Sequence, residues 1–219
     1  MDAATIQSKI YAGYGAAALR VGYEYSLWRP TGAADPVSAG APIAALAAAF
    51  TVRGRGFDFG RAGAHRDVLW NGLFDAALTR VGDYLVSQFD GETYYVAAQQ
   101  PLLPVLCVKC DRVLTVSTPG PSKVFGADTN YGGTLPANET AVMTAWPGSV
   151  VFDARGRATE VGLPTDLPSP FFQILLPVYG GIDIRSSCFI TDDLNRRYTV
   201  AAAEKTALGW SLLAQLAVT

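Results

Sequence analysis

Apolar residues recur every fourth position at the start of the chain. Ile6, Ile10, Tyr14 and Ala18 form one stripe, with Gln7, Ser8, Lys9 and Arg20 elsewhere. This spacing predicts a helix over residues 3–20. Gly13 and Gly15 weaken it by ~1 kcal/mol each relative to alanine, and such small residues also suit close packing. The period then falls to two. Val21, Tyr23, Tyr25 and Leu27 alternate with Gly22, Glu24, Ser26 and Trp28, which reads as a strand ended by Pro30. Residues 29–42, rich in Pro, Gly, Ala and Ser, read as a loop.

Further along, the pattern repeats. Asp83–Gln99 and Ser187–Ala203 align without a gap at an offset of 104, with Tyr94, Val96, Ala97 and Ala98 matching Tyr198, Val200, Ala201 and Ala202. Leu85, Val86 and Ser87 match Phe189, Ile190 and Thr191 in type, and Leu106, Val108 and Leu114 fall on Trp210, Leu212 and Val218. Upstream, Phe50 with Arg53-Gly54-Arg55 parallels Phe152 with Arg155-Gly156-Arg157, and Trp70 and Leu73 fall on Phe172 and Leu175, all at an offset of 102. Four elements in matched order point to an internal duplication.

Each copy reads as β-structure. Asp90-Gly91 is a hairpin turn signal, because a type I′ turn needs positive φ at its central residues, and Leu194-Asn195 takes that place in the second copy. Val105–Val116 and Gly209–Val218 read as the third strands. The expected fold is mainly β: two tandem small barrel or sandwich modules behind an N-terminal helix. The chain then divides into residues 1–44 (helix, strand and loop), 45–116 (first β-module), 117–148 (inter-module arm and short helix) and 149–219 (second β-module). The arm is expected because Ser117–Pro136 holds four Gly and three Pro with no apolar period. Asn138 would cap the short helix, on which Val142 and Trp146 stand four apart.

Composition narrows the classes. Half of the 219 residues are hydrophobic and only 16% are charged, which excludes a disordered chain. A net charge of −2 argues against a general or sequence-specific nucleic-acid binder. No apolar run is long enough to span a membrane, and residues 1–5 lack signal-peptide character, so synthesis in a cytoplasm is expected. Low charge points to large subunit contacts, although 33 alanines, 15 of them in the first 50 residues, inflate the apolar count. Thirteen arginines against four lysines suit interfaces, and also suit a coding bias.

Candidate chemistry is sparse. Cys107-Val-Lys-Cys110 has zinc-ligand spacing, and Cys188 and His65 could complete four ligands. A strand would instead point Cys107 and Cys110 to opposite faces, with Cα atoms ~10 Å apart. His65, the sole histidine, sits in a glycine-rich loop with no nucleophile motif beside it. Asp192-Asp193 serves a turn. No phosphate-binding, dinucleotide or other catalytic signature appears, so neither catalysis nor a cofactor is expected. Trp28, Tyr23, Tyr25, Tyr94, Tyr95 and Tyr131 could form a sugar-binding platform or simply fill a core.

Several motifs carry a resemblance. IQSKIYAGYGAAALR at residues 6–20, Leu27-Trp-Arg-Pro30, Gly72-Leu-Phe-Asp75 and Val81-Gly-Asp-Tyr-Leu-Val86 are its first part. Residues 97–104, Cys107-Val-Lys-Cys110, residues 138–147 and Ile190-Thr-Asp-Asp193 continue it. Together they resemble a family of roughly 200-residue proteins encoded by tailed bacteriophages, most of them described only as virion or hypothetical proteins. The resemblance implies a structural virion component made in the host bacterial cytoplasm. It would be a ring-forming subunit of the neck (head–tail connector), tail or baseplate, with copies of itself and neighbouring neck or tail proteins as partners. Ile6, Ile10, Tyr14, Phe125 and Tyr131 are the subunit-interface candidates. A glycan-binding virion module and a zinc or redox protein are the alternatives.

Overall fold

The computed structural model describes residues 2–52, 68–120, 138–153 and 170–217. Helix α1 spans Ala3–Val21. Asp2 caps it by accepting the Thr5 amide at 2.9 Å, a bond that also lowers the carboxyl's pKa. Gly22 ends it against the second strand, where a Cβ would lie 2.4 Å from the Ala48 carbonyl oxygen, so only glycine permits the approach. Of the helix residues only Ala18 is buried.

Twelve strands follow. The first six are β1 (Tyr23–Trp28), β2 (Ala44–Val52), β3 (Leu69–Leu73), β4 (Tyr84–Ser87), β5 (Thr93–Ala98) and β6 (Val105–Cys110), with a short 3-10 helix, η1, at Ala76–Leu78. The second six are β7 (Arg112–Pro119), β8 (Glu139–Asp153), β9 (Phe171–Leu176), β10 (Phe189–Asp192), β11 (Arg197–Thr206) and β12 (Gly209–Leu216). They close two antiparallel barrels in the orders β1-β2-β3-β6-β5-β4 and β7-β8-β9-β12-β11-β10. Strand for strand, the two paths are the same.

The registers agree as well. Tyr25 stands opposite Leu46 and Ser87, and Leu114 opposite Trp146 and Asp192. Phe50 faces Gly72 as Val150 faces Ile174. Leu69 faces Val108 as Phe171 faces Gln215. Tyr84 faces Tyr95 as Phe189 faces Thr199. Val96 faces Cys107 as Val200 faces Ala214. One residue-to-residue equivalence satisfies the ladders around both barrels except β7–β8 beyond Leu114, where the second barrel slips and β1–β2 does not. Each barrel also carries a register shift at the same place, between Val96 and Ala98 and between Val200 and Ala202. The residue leading into the hairpin has positive φ in both, Gly82 at 91° and Ser187 at 71°, and so does the turn residue, Gly91 at 77° and Asn195 at 58°.

This equivalence corrects the sequence alignment in detail. The Ser87 amide donates to the Glu92 carbonyl, whereas the Asp192 amide donates to the Arg196 carbonyl, so the second turn is shorter by one residue. The gapless match therefore holds for Tyr94 and Tyr198 but not upstream, where Tyr84, not Leu85, corresponds to Phe189. Downstream, β11 and β12 run on to a tight turn at Thr206–Gly209, while residues 99–104 form a loop. Val105 consequently corresponds to Leu212, and Leu106 does not fall on Trp210. Trp70 and Leu73 do match Phe172 and Leu175. Phe152 corresponds to Val52, two residues beyond Phe50 and on the same face.

Two elements differ from expectation. Residues 105–116 are not one strand: the chain breaks at Asp111 and passes into the second barrel. The first barrel runs from β1 to β6 and the second from β7 to β12, so the segment after Pro119 lies within the second module. The expected helix after Asn138 is β8. There the ladder with β7 slips twice, between Leu114 and Val116 and again between Val116 and Ser117, and Ala145 has φ 54°. An even spacing such as that of Val142 and Trp146 suits one face of a strand as well as a helical stripe.

Core volumes trade between the copies. Leu46, Ala48, Gly72 and Phe74 in the first barrel correspond to Trp146, Gly148, Ile174 and Leu176 in the second. A Cβ on Gly72 would meet Phe74 at 2.4 Å, and one on Gly148 would meet Leu176 at 2.7 Å. A larger side chain at one position is offset by a smaller one beside it, as dense packing requires. Tyr94 packs edge-on to Trp70 at 6.0 Å, and its counterpart Tyr198 edge-on to Phe172 at 5.2 Å.

Candidate functional site: the barrel junction and the helix face

Inward side chains of β4–β6 fill the first barrel. Their outward neighbours Tyr84, Tyr95, Ala97 and Val108 are equally buried, because they belong to the core cluster of the second barrel. Tyr84 donates its phenol to the Pro147 carbonyl at 2.9 Å and meets Trp146 edge-on at 6.1 Å. Burial raises the pKa of both phenols, so they remain neutral donors. Trp146 reaches across to donate to the Ala33 carbonyl at 2.7 Å. The loop there joins β8 directly: Thr144 donates to Ala33 and Asp35 donates to Thr144, each at 2.9 Å.

Between the barrels, Asp111 continues the ladder. Its amide donates to the Gly148 carbonyl at 3.0 Å, and its carboxylate accepts the Val150 amide at 2.8 Å. Partial burial of that carboxyl raises its pKa, against the lowering effect of the Val150 bond and Arg112.

A second motif explains Cys188. In the first barrel, buried Asp83 accepts the Arg80 amide at 2.8 Å and holds Arg29 through two bonds of 2.8 and 2.6 Å. Its backbone carbonyl accepts the Val96 amide. In the second barrel, Cys188 occupies this position: its sulfur accepts the Arg185 amide at 3.4 Å and its carbonyl the Val200 amide. The thiol thus replaces a carboxylate as the cap of a turn.

The cysteines do not converge. Cys107 lies in the first barrel's core, while Cys110 packs against the cluster that holds Cys188. Burial pushes the Cys107 and Cys110 thiols up, away from the thiolate that metal binding or redox chemistry needs. Among the described residues, no three His, Cys, Asp or Glu side chains stand together as metal ligands. His65, Phe125 and Tyr131 lie outside the described residues, as do the two Arg-Gly-Arg segments.

The aromatic candidates are mostly internal. Tyr25, Tyr94 and Tyr95 are buried and Trp28 is half-buried, which leaves Tyr23 exposed. Of the helix candidates, Ile10 and Tyr14 are half-buried and Ile6 is exposed. Leu19, Val21 and Phe89 were not among the site candidates, yet each is more exposed than Tyr23. Leu19 is 77% exposed, Val21 65%, Tyr23 57% and Phe89 75%. Tyr23 and Phe89 stack with centroids 5.0 Å apart. A large aromatic residue beside Asp90-Gly91, in a turn that needs none, was the available signal. No helix among the described residues is long and apolar enough to cross a membrane.

No protein-family model matches this chain, and neither does any curated protein or solved structure. The virion expectation therefore rests on the motif resemblance and on what the architecture allows.

Proposed function

We propose that this chain is a structural, non-catalytic subunit of a tailed-bacteriophage particle, set in a ring at the neck, tail or baseplate. Copies of itself and neighbouring neck or tail proteins are its partners, and the virion is its destination. The observation that carries the reading is the pair of barrels with the same strand order, packed together where outward side chains of β4–β6 enter the core of the second barrel. Among the described residues both sheets are closed, so they offer no free edge strand for pairing with another chain. Contacts with neighbours are then made by side-chain surfaces, that of α1 among them. Cyclic assembly needs two different faces on each subunit, which a chain with two modules and a helix can supply. A net charge of −2 suits a wall past which DNA moves without adhering.

The glycan-binding alternative draws less support, because three of its tyrosines are buried. The zinc or redox alternative requires thiols that stand in two different cores. Imaging of particles that carry a tagged copy of the chain tests the proposal. The expected result is a symmetric set of tags at one level of the neck, tail or baseplate. Particles that lack the chain altogether would remove the proposal.

A further inference from the structure

The two barrels differ at the seat of one side chain. In the first, Arg29 follows β1 and lays its guanidinium on buried Asp83, through bonds of 2.8 and 2.6 Å, and on the Leu78 carbonyl at 3.5 Å. In the second, Thr118 stands in the place of Arg29, one residue beyond the matched pair Trp28 and Ser117. Cys188 stands in the place of Asp83. The Thr118 side chain is short and donates to the Thr140 carbonyl at 3.3 Å. Where the first barrel holds a guanidinium, the second has a groove of about 400 Å³, lined by both Thr118 and Cys188.

The second seat keeps a carboxylate, at another position. Arg80 and Arg185 open equivalent turns: their amides donate to the side chains of Asp83 and Cys188, and their carbonyls accept from the amides of the same two residues. Two residues before them stand Leu78 and Asp183. The position that gives Arg29 a backbone carbonyl in the first barrel therefore carries an acidic side chain in the second, and Asp183 lines the groove. Half-buried Val142 and Ile182 supply apolar walls, along which the alkyl stem of a long cationic side chain can lie. Asp183 pairs with Arg185 at 2.7 Å, but the two side chains are 58% and 79% exposed, so this pair contributes little.

We propose that this groove seats an arginine side chain of a partner chain, which lies between Thr118 and Cys188 as Arg29 lies in the first barrel and pairs with Asp183. The first barrel shows what such a seat holds, and the second has lost the residue that would fill it from within. Arginine suits the seat better than lysine, because Arg29 is held through two nitrogens of one planar group, a geometry that an ammonium cannot supply. The neutral sulfur of Cys188 leaves the charge to be met by Asp183. This deepens the ring reading proposed above and rests on it only for the chain that brings the arginine, since the seat itself is a property of the isolated protein.

The test uses thermal melts of the full chain with N-acetylarginine amide as the probe. The melting temperature should rise and then saturate, because a ligand held only by the folded state stabilises it. N-acetylcitrulline amide, similar in shape but uncharged, should leave it unchanged, and N-acetyllysine amide should raise it less. Asp183→Asn should abolish the response, and Thr118→Arg should abolish it by filling the seat from within. Arg185→Ala should strengthen it by freeing Asp183, with circular dichroism to verify the fold of each variant. The proposal is overturned by a wild type with no saturable rise, by an equal rise with the citrulline or lysine derivative, or by a response that survives in folded Asp183→Asn. Those results would sink this proposal alone; absence of the chain from particles would sink the virion proposal alone.

Discussion

Tyr84, Tyr95 and Val108 line the outer wall of the first barrel, and Phe189, Thr199 and Gln215 take the same places on the second. The first three are buried against the neighbouring module. On the second barrel, Thr199 and Gln215 are only half-buried, and Phe189 is covered by the Arg197 guanidinium, 4.1 Å above its ring. That arginine is held by Glu139, which also accepts the Ser117 hydroxyl at 2.6 Å. The interiors and registers correspond while the outer walls diverge. What a barrel needs in order to close is the same in both copies, and what it shows outside depends on its neighbour. Because the second wall is polar, the contact that joins the modules does not extend to a third.

The largest expected effect comes from breaking the junction. Trp146→Ala should cost ~3–5 kcal/mol, since it empties core volume and removes the donor to Ala33. Its counterpart Leu46→Ala should cost nearer ~2–3 kcal/mol. Urea unfolding of both variants checks this; equal losses would mean that the junction adds nothing at Trp146.

A smaller change sharpens the comparison at the turn caps. Cys188→Asp writes the first barrel's carboxylate into the second without its arginine and should cost ~3 kcal/mol at neutral pH. Burial would raise the pKa of the new carboxyl, so the loss should shrink as pH falls and the group becomes neutral. Thr118 stands where Arg29 does, one residue beyond the matched pair Trp28 and Ser117. Adding Thr118→Arg should therefore recover part of the stability, and thermal melts of the single and double variants would show whether it does.

The smallest effect concerns the joint. The Asp111 carboxyl has a raised pKa in the folded chain. The stability linked to it is fully present below the unfolded pKa and is lost as pH rises through the folded one. Asp111→Asn keeps an oxygen for the Val150 amide and removes the charge. It should be slightly more stable than the wild type at neutral pH and indistinguishable from it in acid. A lower melting temperature at neutral pH would show that the charge stabilises the joint.

Much of this architecture was legible in residue order. Alternation at 21–28 gave a strand, Asp90-Gly91 a turn, and the shared run at Tyr94 and Tyr198 a duplication. The break at Asp111 was hidden because apolar residues continue on both sides of it, one set for each barrel. Strands β4–β6 are buried on both faces, so their composition does not alternate and cannot say which side meets the other module. In β8, Val142 and Trp146 stand four apart, a spacing that fits a strand face as well as a helical stripe. The one-residue difference between the turns was invisible because Leu85, Val86 and Ser87 resemble Phe189, Ile190 and Thr191 in type. Of the surface groups, the helix residues Ile6, Ile10 and Tyr14 were found by periodicity, whereas Phe89 has no periodic partner and emerges only when the turn is placed in space.

Asp111 is the sole residue between the last strand of one barrel and the first strand of the next. In mechanical terms it is a coupling without slack. Its amide and carboxylate are both tied to β8, so the linkage cannot swivel freely about its own bonds. A push or twist on one barrel thus meets a one-residue joint tied twice to the other.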